Sequence, residues 1–138
     1  MVERLVANEK VEGSTPFARS KIKKMNDLLN KKCVPCEGGV IRFDISEIHK
    51  YQKKVDGWDV IKDKKEIFFL EKKFTFSNFL ESQNFINKVG NISEEEGHHP
   101  DINFGWGYAK IIITTHAIEG LSENDFILAA KIDKIISV

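Results

Sequence analysis

Residues 77–117, SNFLESQNFINKVGNISEEEGHHPDINFGWGYAKIIITTHA, change their hydrophobic period halfway along, and that change decides the fold. The first half predicts a long helix over Ser77–Glu96. Phe76, Phe79, Leu80 and Ile86 form one apolar stripe, and Phe85, Val89 and Ile92 broaden it. Gly90 weakens the middle by about 1 kcal/mol relative to alanine. Gly97 is a C-terminal stop, and Pro100 prevents the helix from resuming. Asp101–Phe104 is then a short extended piece, Gly105-Trp106-Gly107 a tight turn, and Tyr108–Ala117 a strand centred on Ile111, Ile112 and Ile113. A period of two places Tyr108, Lys110, Ile112, Thr114 and His116 on one face.

Toward the N-terminus, Ser46 reads as the cap of a short helix reaching Lys54, with Ile48, Tyr51 and Val55 on one stripe, and Asp56-Gly57 ends it. Trp58–Ile61 and Glu66–Phe74 read as two strands of a hairpin turned by Lys62–Lys65. Toward the C-terminus, Ser122 reads as the cap of a final helix with Asp125 at its third position, and Leu128, Ile132, Ile135 and Ile136 form its buried stripe. The order helix, two strands, long helix, two strands, helix predicts an α+β fold: an antiparallel four-stranded sheet with helices packed on one face. Residues 1–24 stand apart, because Val11-Glu12-Gly13-Ser14-Thr15-Pro16 is turn-rich and no hydrophobic period is sustained. The expectation is a disordered or loosely attached leader over 1–24, followed by one domain over 25–138, with Met25 where a start codon would fall.

A chain of 138 residues with 41% apolar and 30% charged composition suits one globular domain. Lys plus Arg and Asp plus Glu both total 21, so the basic excess usual in a nucleic-acid binder is missing and no nucleic-acid partner is expected. No apolar run approaches the ~20 residues of a membrane span, and the N-terminus lacks the apolar core of a signal peptide. A cytoplasmic protein without a membrane partner is expected. Cys33 and Cys36 form a single CxxC, which is half of a structural zinc site. Pro35 and the following Glu37-Gly38-Gly39 make it a turn rather than the helix-opening CxxC of a redox protein, so no catalytic role is expected.

Three of the four histidines fall at the ends of the long helix and the last strand: His98 and His99 follow Gly97, and His116 comes seventeen positions after His99. Imidazole titrates near neutral pH, so clustered histidines suit proton transfer. Glu94, Glu95 and Glu96 precede the pair and favour its protonated form. Two other readings of the same residues stand: exposed polar side chains at a helix end, or three zinc ligands with a water. The usual helical zinc pattern spaces histidines four apart, which His98-His99 does not do. His49 reads as a solvated residue of the first helix.

These blocks together carry a resemblance. Glu94-Glu95-Glu96-Gly97-His98-His99-Pro100-Asp101, then Thr114-Thr115-His116, then Gly120-Leu121-Ser122-Glu123-Asn124-Asp125, resemble the signature of the pterin-4a-carbinolamine dehydratases. Lys32–Gly39 resembles the opening of many bacterial members, and Gly57-Trp58 fits before the hairpin. The resemblance covers Met25–Val138. It implies one antiparallel sheet covered by helices, a homodimer or homotetramer, a pterin as small-molecule substrate, and neither metal nor organic cofactor. It implies dehydration of 4a-hydroxytetrahydropterin to quinonoid dihydropterin, in recycling of the cofactor of a partner such as an aromatic amino-acid hydroxylase. By residue it implies catalytic roles for His98, His99, His116 and Asp125. It implies substrate contacts at Glu94, His98, His99, Pro100, Thr115, His116, Ala117 and Ile118. Acid–base work is assigned to His98 and His116 in either order, with His99 orienting the pterin. Asp125 either fixes an imidazole tautomer or caps the last helix. Ile102 departs from the family, standing where vertebrate members carry tryptophan. Relatives of the fold also imply two rivals to distinguish by assay: a non-catalytic dimerisation, assembly or coactivator module, and, from the histidines alone, a zinc hydrolase.

The leader gives the first prediction. A chain starting at Met25 should match the full chain in melting temperature, reaction rate and oligomer mass, because a segment without a hydrophobic period contributes less than about 0.5 kcal/mol. A clear fall in melting temperature or loss of the oligomer would show that the leader docks on the domain.

Overall fold

Alternating burial along the last strand sets the two sides of the molecule. In the computed structural model, which describes residues 27–35 and 39–137, Ala109, Ile111 and Ile113 are buried while Tyr108, Lys110 and Ile112 face outward. The expected leader over 1–24 and Cys36 lie outside the described residues. The elements are α1 (Ile45–Gln52), β1 (Asp59–Lys62), β2 (Phe68–Thr75), α2 (Phe79–Glu96), β3 (Asp101–Gly105), β4 (Tyr108–Ile113), a 3₁₀ turn (His116–Ile118) and α3 (Glu123–Ser137). The strands form one antiparallel sheet in the order β1-β2-β4-β3. The predicted α+β architecture is therefore the observed one.

One apolar cluster joins the inward residues of the sheet, Leu70, Phe74, Ala109, Ile111 and Ile113, to Ile48 of α1, Phe85 and Val89 of α2, and Phe126–Ala130 and Ile132 of α3. Each fully buried large side chain of this set contributes about 1.5–3 kcal/mol. α3 is the innermost helix: Asn124 through Ala130 are all buried.

Several boundaries differ from the sequence reading, each for a local reason. Asp44, not Ser46, caps α1, because its carboxylate accepts the Glu47 amide at 2.8 Å. Asn78 caps α2 by accepting the Glu81 amide at 2.9 Å, so the helix starts at Phe79. That phase turns Ser82, Phe85, Val89 and Ser93 inward and leaves Phe79 and Leu80 exposed. The expected stripe is thus rotated toward two serines. Their burial is tolerated because Ser82 Oγ donates to the Asn78 carbonyl and Ser93 Oγ to the Val89 carbonyl, at 3.2 and 2.8 Å. The last strand stops at Ile113 rather than Ala117. Thr115 instead makes an isolated bridge to Gly120, and the chain between them winds into the 3₁₀ turn that carries His116. Glu119 closes that turn in the left-handed region at φ 51°.

One charged pair is buried inside the core. Lys72, on the inward face of β2, donates to Asp133 of α3 at 2.8 Å, with the two side chains 8% and 7% exposed. The Trp58 indole N–H also donates to Asp133, at 3.0 Å, and the Asp56 carbonyl accepts from Lys72 at 2.7 Å. Removing one partner leaves the other buried without its counter-charge. Asp133→Ala should therefore lower unfolding free energy by about 3–5 kcal/mol, while the joint change Lys72→Met with Asp133→Leu should recover most of the loss. Chemical denaturation of both variants checks this; equal losses in the two would show that the pair is not the source of the effect.

Candidate active site

The end of α2 aims the two adjacent histidines in different directions. Gly97 adopts φ 65°, its amide donates to the Glu94 carbonyl at 3.3 Å, and the His98 amide donates to the Ser93 carbonyl at 3.2 Å. This is a Schellman ending, which needs a residue tolerant of the left-handed region at Gly97. Immediately past it, the His98 side chain turns inward and is 5% exposed. The His99 side chain turns outward and is 60% exposed.

Each histidine meets a carboxylate. His98 Nε2 lies 2.7 Å from Asp125 Oδ1 at the start of α3. The other oxygen of Asp125 accepts from Thr115 Oγ1 and from the Ser122 amide, both at 2.8 Å. Thr115 Oγ1 also lies 3.0 Å from Ser122 Oγ. Asp125 has no exposure, so these partners stand in for the water that its oxygens lose. His99 Nε2 lies 2.6 Å from Glu94 Oε1 on the surface, with Glu94 79% exposed, so solvent screens this second pair.

The two readings of Asp125, tautomer holder and helix cap, describe two oxygens of one carboxylate. Oδ2 takes the Ser122 amide as in a capping box, and Oδ1 takes His98. Ser122 Oγ bonds toward Thr115 instead of serving as the expected cap acceptor.

Thr115 is fully buried, and its amide and carbonyl both bond to Gly120. Its side chain is spent on Asp125 and Ser122. It therefore braces the Asp125 carboxylate. His116 and Ala117 are exposed, while Pro100 and Ile118 are half-buried, so the outer wall is accessible at those four positions. Ile102 packs against the core. Among the described residues, no three His, Cys, Asp or Glu side chains group to hold a metal ion.

Residues outside the predicted catalytic and substrate-contact set complete the surroundings. Glu96 Oε1 accepts the Cys33 amide at 2.9 Å, and its other oxygen takes Lys131. Burial pushes Glu96 up, but the Lys131 ammonium and the Cys33 amide outweigh that and hold it below the usual glutamate range. The sequence did carry a signal: three carboxylates at a helix C-terminus run against the helix dipole and call for partners elsewhere. Burial, with the Glu96 charge nearby, pushes the Cys33 thiol up to about 12, so it stays protonated near neutral pH.

The fold and site define an α+β domain that holds a buried imidazole–carboxylate pair where the end of one helix meets the start of another. The sequence pattern of the family described as pterin 4 alpha carbinolamine dehydratase matches residues 42–135, and the chain belongs to that family. A protein of Rubrobacter xylanophilus named "Putative pterin-4-alpha-carbinolamine dehydratase" is 44% identical over 111 residues, covering 80% of this chain and all of the relative. A protein of the same name from Rickettsia canadensis is 46% identical over 113 residues, covering 81% of this chain and again all of the relative. Among solved structures, a transcriptional coactivator/pterin dehydratase from Brucella melitensis superimposes with TM-score 0.64 at 23% identity, covering 70% of this chain and 99% of that one, which shows the shared fold. A pterin dehydratase-like protein identified as a RuBisCO assembly factor superimposes with TM-score 0.50 at 27% identity, covering 58% of this chain and 89% of that one.

Glu96 gives a prediction with a definite sign. A carboxyl held low in the fold stabilises above the ordinary glutamate range, and the contribution is lost as pH falls through its folded value. Wild type should therefore lose melting temperature on acidification across that window more steeply than Glu96→Gln. Parallel curves would show that Glu96 is not an acid-sensitive brace.

Proposed function

We propose that this chain dehydrates 4a-hydroxytetrahydropterins to quinonoid dihydropterins by histidine acid–base catalysis. The observation that carries the reading is the His98–Asp125 pair, an imidazole whose partner carboxylate is buried and bonded by three donors. In the reaction the C4a–O bond breaks and the hydroxyl leaves as water after taking a proton. The N5–H proton goes to a base, and its electron pair forms the C4a=N5 bond. A positioned acid and base together typically contribute ~10² to 10⁴ in rate. His98 and His116 take these two parts. His98 suits pre-organised proton exchange because Asp125 fixes its tautomer and orientation. His99, exposed and loosely paired with Glu94, orients the pterin with Glu94, Pro100, Ala117 and Ile118. Neither metal nor organic cofactor enters this scheme, since proton transfer alone balances the step.

The reading places the chain in the cytoplasm, serving a hydroxylase that consumes tetrahydropterin. It also includes self-association as a homodimer or homotetramer. Two features support that part. β3 is an edge strand of the sheet, and Phe79, Leu80, Phe104, Trp106 and Tyr108 are exposed, with Phe79 and Phe104 rings 5.6 Å apart. A second reading, an assembly module without catalysis, is favoured by the likeness to a protein identified as a RuBisCO assembly factor.

Stopped-flow loss of freshly generated 4a-carbinolamine separates the two. Wild type should accelerate the loss, and an inert protein means the assembly reading. His98→Ala or His116→Ala should lower kcat by ~10² or more with the fold retained, whereas His99→Ala should raise KM more than it lowers kcat. Near-wild-type activity in the His98/His116 double variant would remove the acid–base assignment. Activity should also survive chelator treatment; stoichiometric zinc lost together with activity would favour a zinc hydrolase.

A further inference from the structure

The segment over residues 31–35 crosses the site from behind and touches both elements that the His98–Asp125 bond joins. Asn124, next to Asp125 in the first turn of α3, is 2% exposed. Its Nδ2–H donates to the Val34 carbonyl at 2.9 Å, and its Oδ1 accepts the Val34 amide at 3.0 Å. One side-chain amide thus saturates one backbone unit, as a neighbouring β-strand would. Cys33, one residue earlier, spans the gap between the elements. Its amide donates to Glu96 at the end of α2, and its thiol donates to the Asn124 carbonyl at 3.5 Å. Lys31 adds an exposed ion pair to Glu123. Glu96 is two residues before His98, and Asn124 is one before Asp125. The strap therefore pins together the two chain segments whose separation sets the His98–Asp125 distance.

We propose that Asn124 is a positioning residue for the proton-transfer site: by clasping Val34 it locks the strap across the α2 end and the α3 start, and so holds the Asp125 carboxylate against His98. The inference rests on the dehydratase reading for its kinetic consequence, but the geometry it asserts has a readout without substrate. Asn124 touches no reacting atom and acts only through Asp125 and His98. The proposed pterin contacts at His99, Pro100 and Ala117 are not residues that the clasp joins, so loss of the clasp lowers turnover and leaves binding nearly intact.

The experiment compares full-length wild type, Asn124→Ala, the milder Asn124→Ser, and Asp133→Asn as a variant that weakens α3 nine residues away. Nitrogen-15 and proton NMR of the imidazoles reads the His98 tautomer and its bonded ring proton, and stopped-flow decay of freshly generated 4a-hydroxytetrahydropterin reads kcat and KM. Expected is a shifted and broadened His98 ring signal in both Asn124 variants. kcat should be ~10-fold or more lower, with KM within about 2-fold of wild type. Asp133→Asn should melt at a lower temperature with the His98 signal unchanged. A wild-type His98 signal in folded Asn124→Ser overturns the proposal, as does a signal shift of the same kind in Asp133→Asn. Failure of both Asn124 variants to fold also overturns it, since Asn124 then supports the whole domain rather than the site. Wild type without turnover sinks the dehydratase reading alone, and the ring signals still decide the positioning.

Discussion

A buried carboxylate has to be surrounded by donors, and the first turn of α3 is built around that requirement. Asp125 has no exposure and accepts from His98, Thr115 and the Ser122 amide, which come from three separate stretches of chain. Removing an ion from water costs several kcal/mol unless such bonds replace its hydration. The constraint works outward. Thr115 must stop being strand to turn its hydroxyl to Asp125, so β4 ends at Ile113 and the chain winds into the turn that presents His116. His98 must reach Asp125 from the end of α2, so the helix closes at Gly97 with the left-handed residue that swings the next side chain inward.

How much of this was legible in the sequence follows from the range of each interaction. Gly97 as a stop, the glycine turn at 105–107 and the element order depend on neighbours a few residues apart, and they stood in the sequence. The Ser122–Asp125 spacing announced a capping carboxylate, and half of that role is observed. The inward face of α2 was legible only in part: Phe85 and Val89 stood in the predicted apolar set, but hydropathy favours Phe79 and Leu80 over Ser82 and Ser93. The helix's own carbonyls, which take the serine hydroxyls, let those two positions be buried. Nothing local marks Lys72 for burial either; the register of β2 puts it opposite Ile111 on the core side, facing Asp133. The histidines and Asp125 were nameable from the family's motifs, but the division of His98 and His99 between interior and surface was not, since adjacency in sequence says nothing about which ring the helix ending turns inward.

The fold by itself does not separate the roles that its relatives carry. The Brucella melitensis structure bears both a coactivator and a dehydratase description, and another neighbour was identified as an assembly factor. Function is argued from the site. A binding module has use for exposed residues such as Trp106, Phe104 and Phe79, and none for an internal imidazole braced by a desolvated acid. The opposite holds for acid–base chemistry, where a histidine of fixed tautomer is the working part and the apolar rim is incidental. The two sets of residues lie on different elements, with the His98–Asp125 pair at the α2–α3 junction and the aromatic rim near the β3–β4 turn, so one chain has room for both.

The site is also assembled almost entirely over long stretches of sequence. His98 and Asp125 are 27 residues apart, Cys33 and Glu96 63, and Val34 and Asn124 90. Local motifs fix the direction in which each side chain leaves its element, and distant contacts fix how far apart the elements stand. Neither is sufficient alone: the Gly97 ending would aim His98 inward with nothing to meet if α3 sat a turn away. Because α3 is the innermost helix and closes the apolar cluster, packing of Phe126, Leu128 and Ile132 constrains its axial position. Hydrophobic burial, which is strong but indifferent to sub-ångström offsets, brings the parts together. The directional bonds of Asp125 then select one alignment among the many that packing would allow.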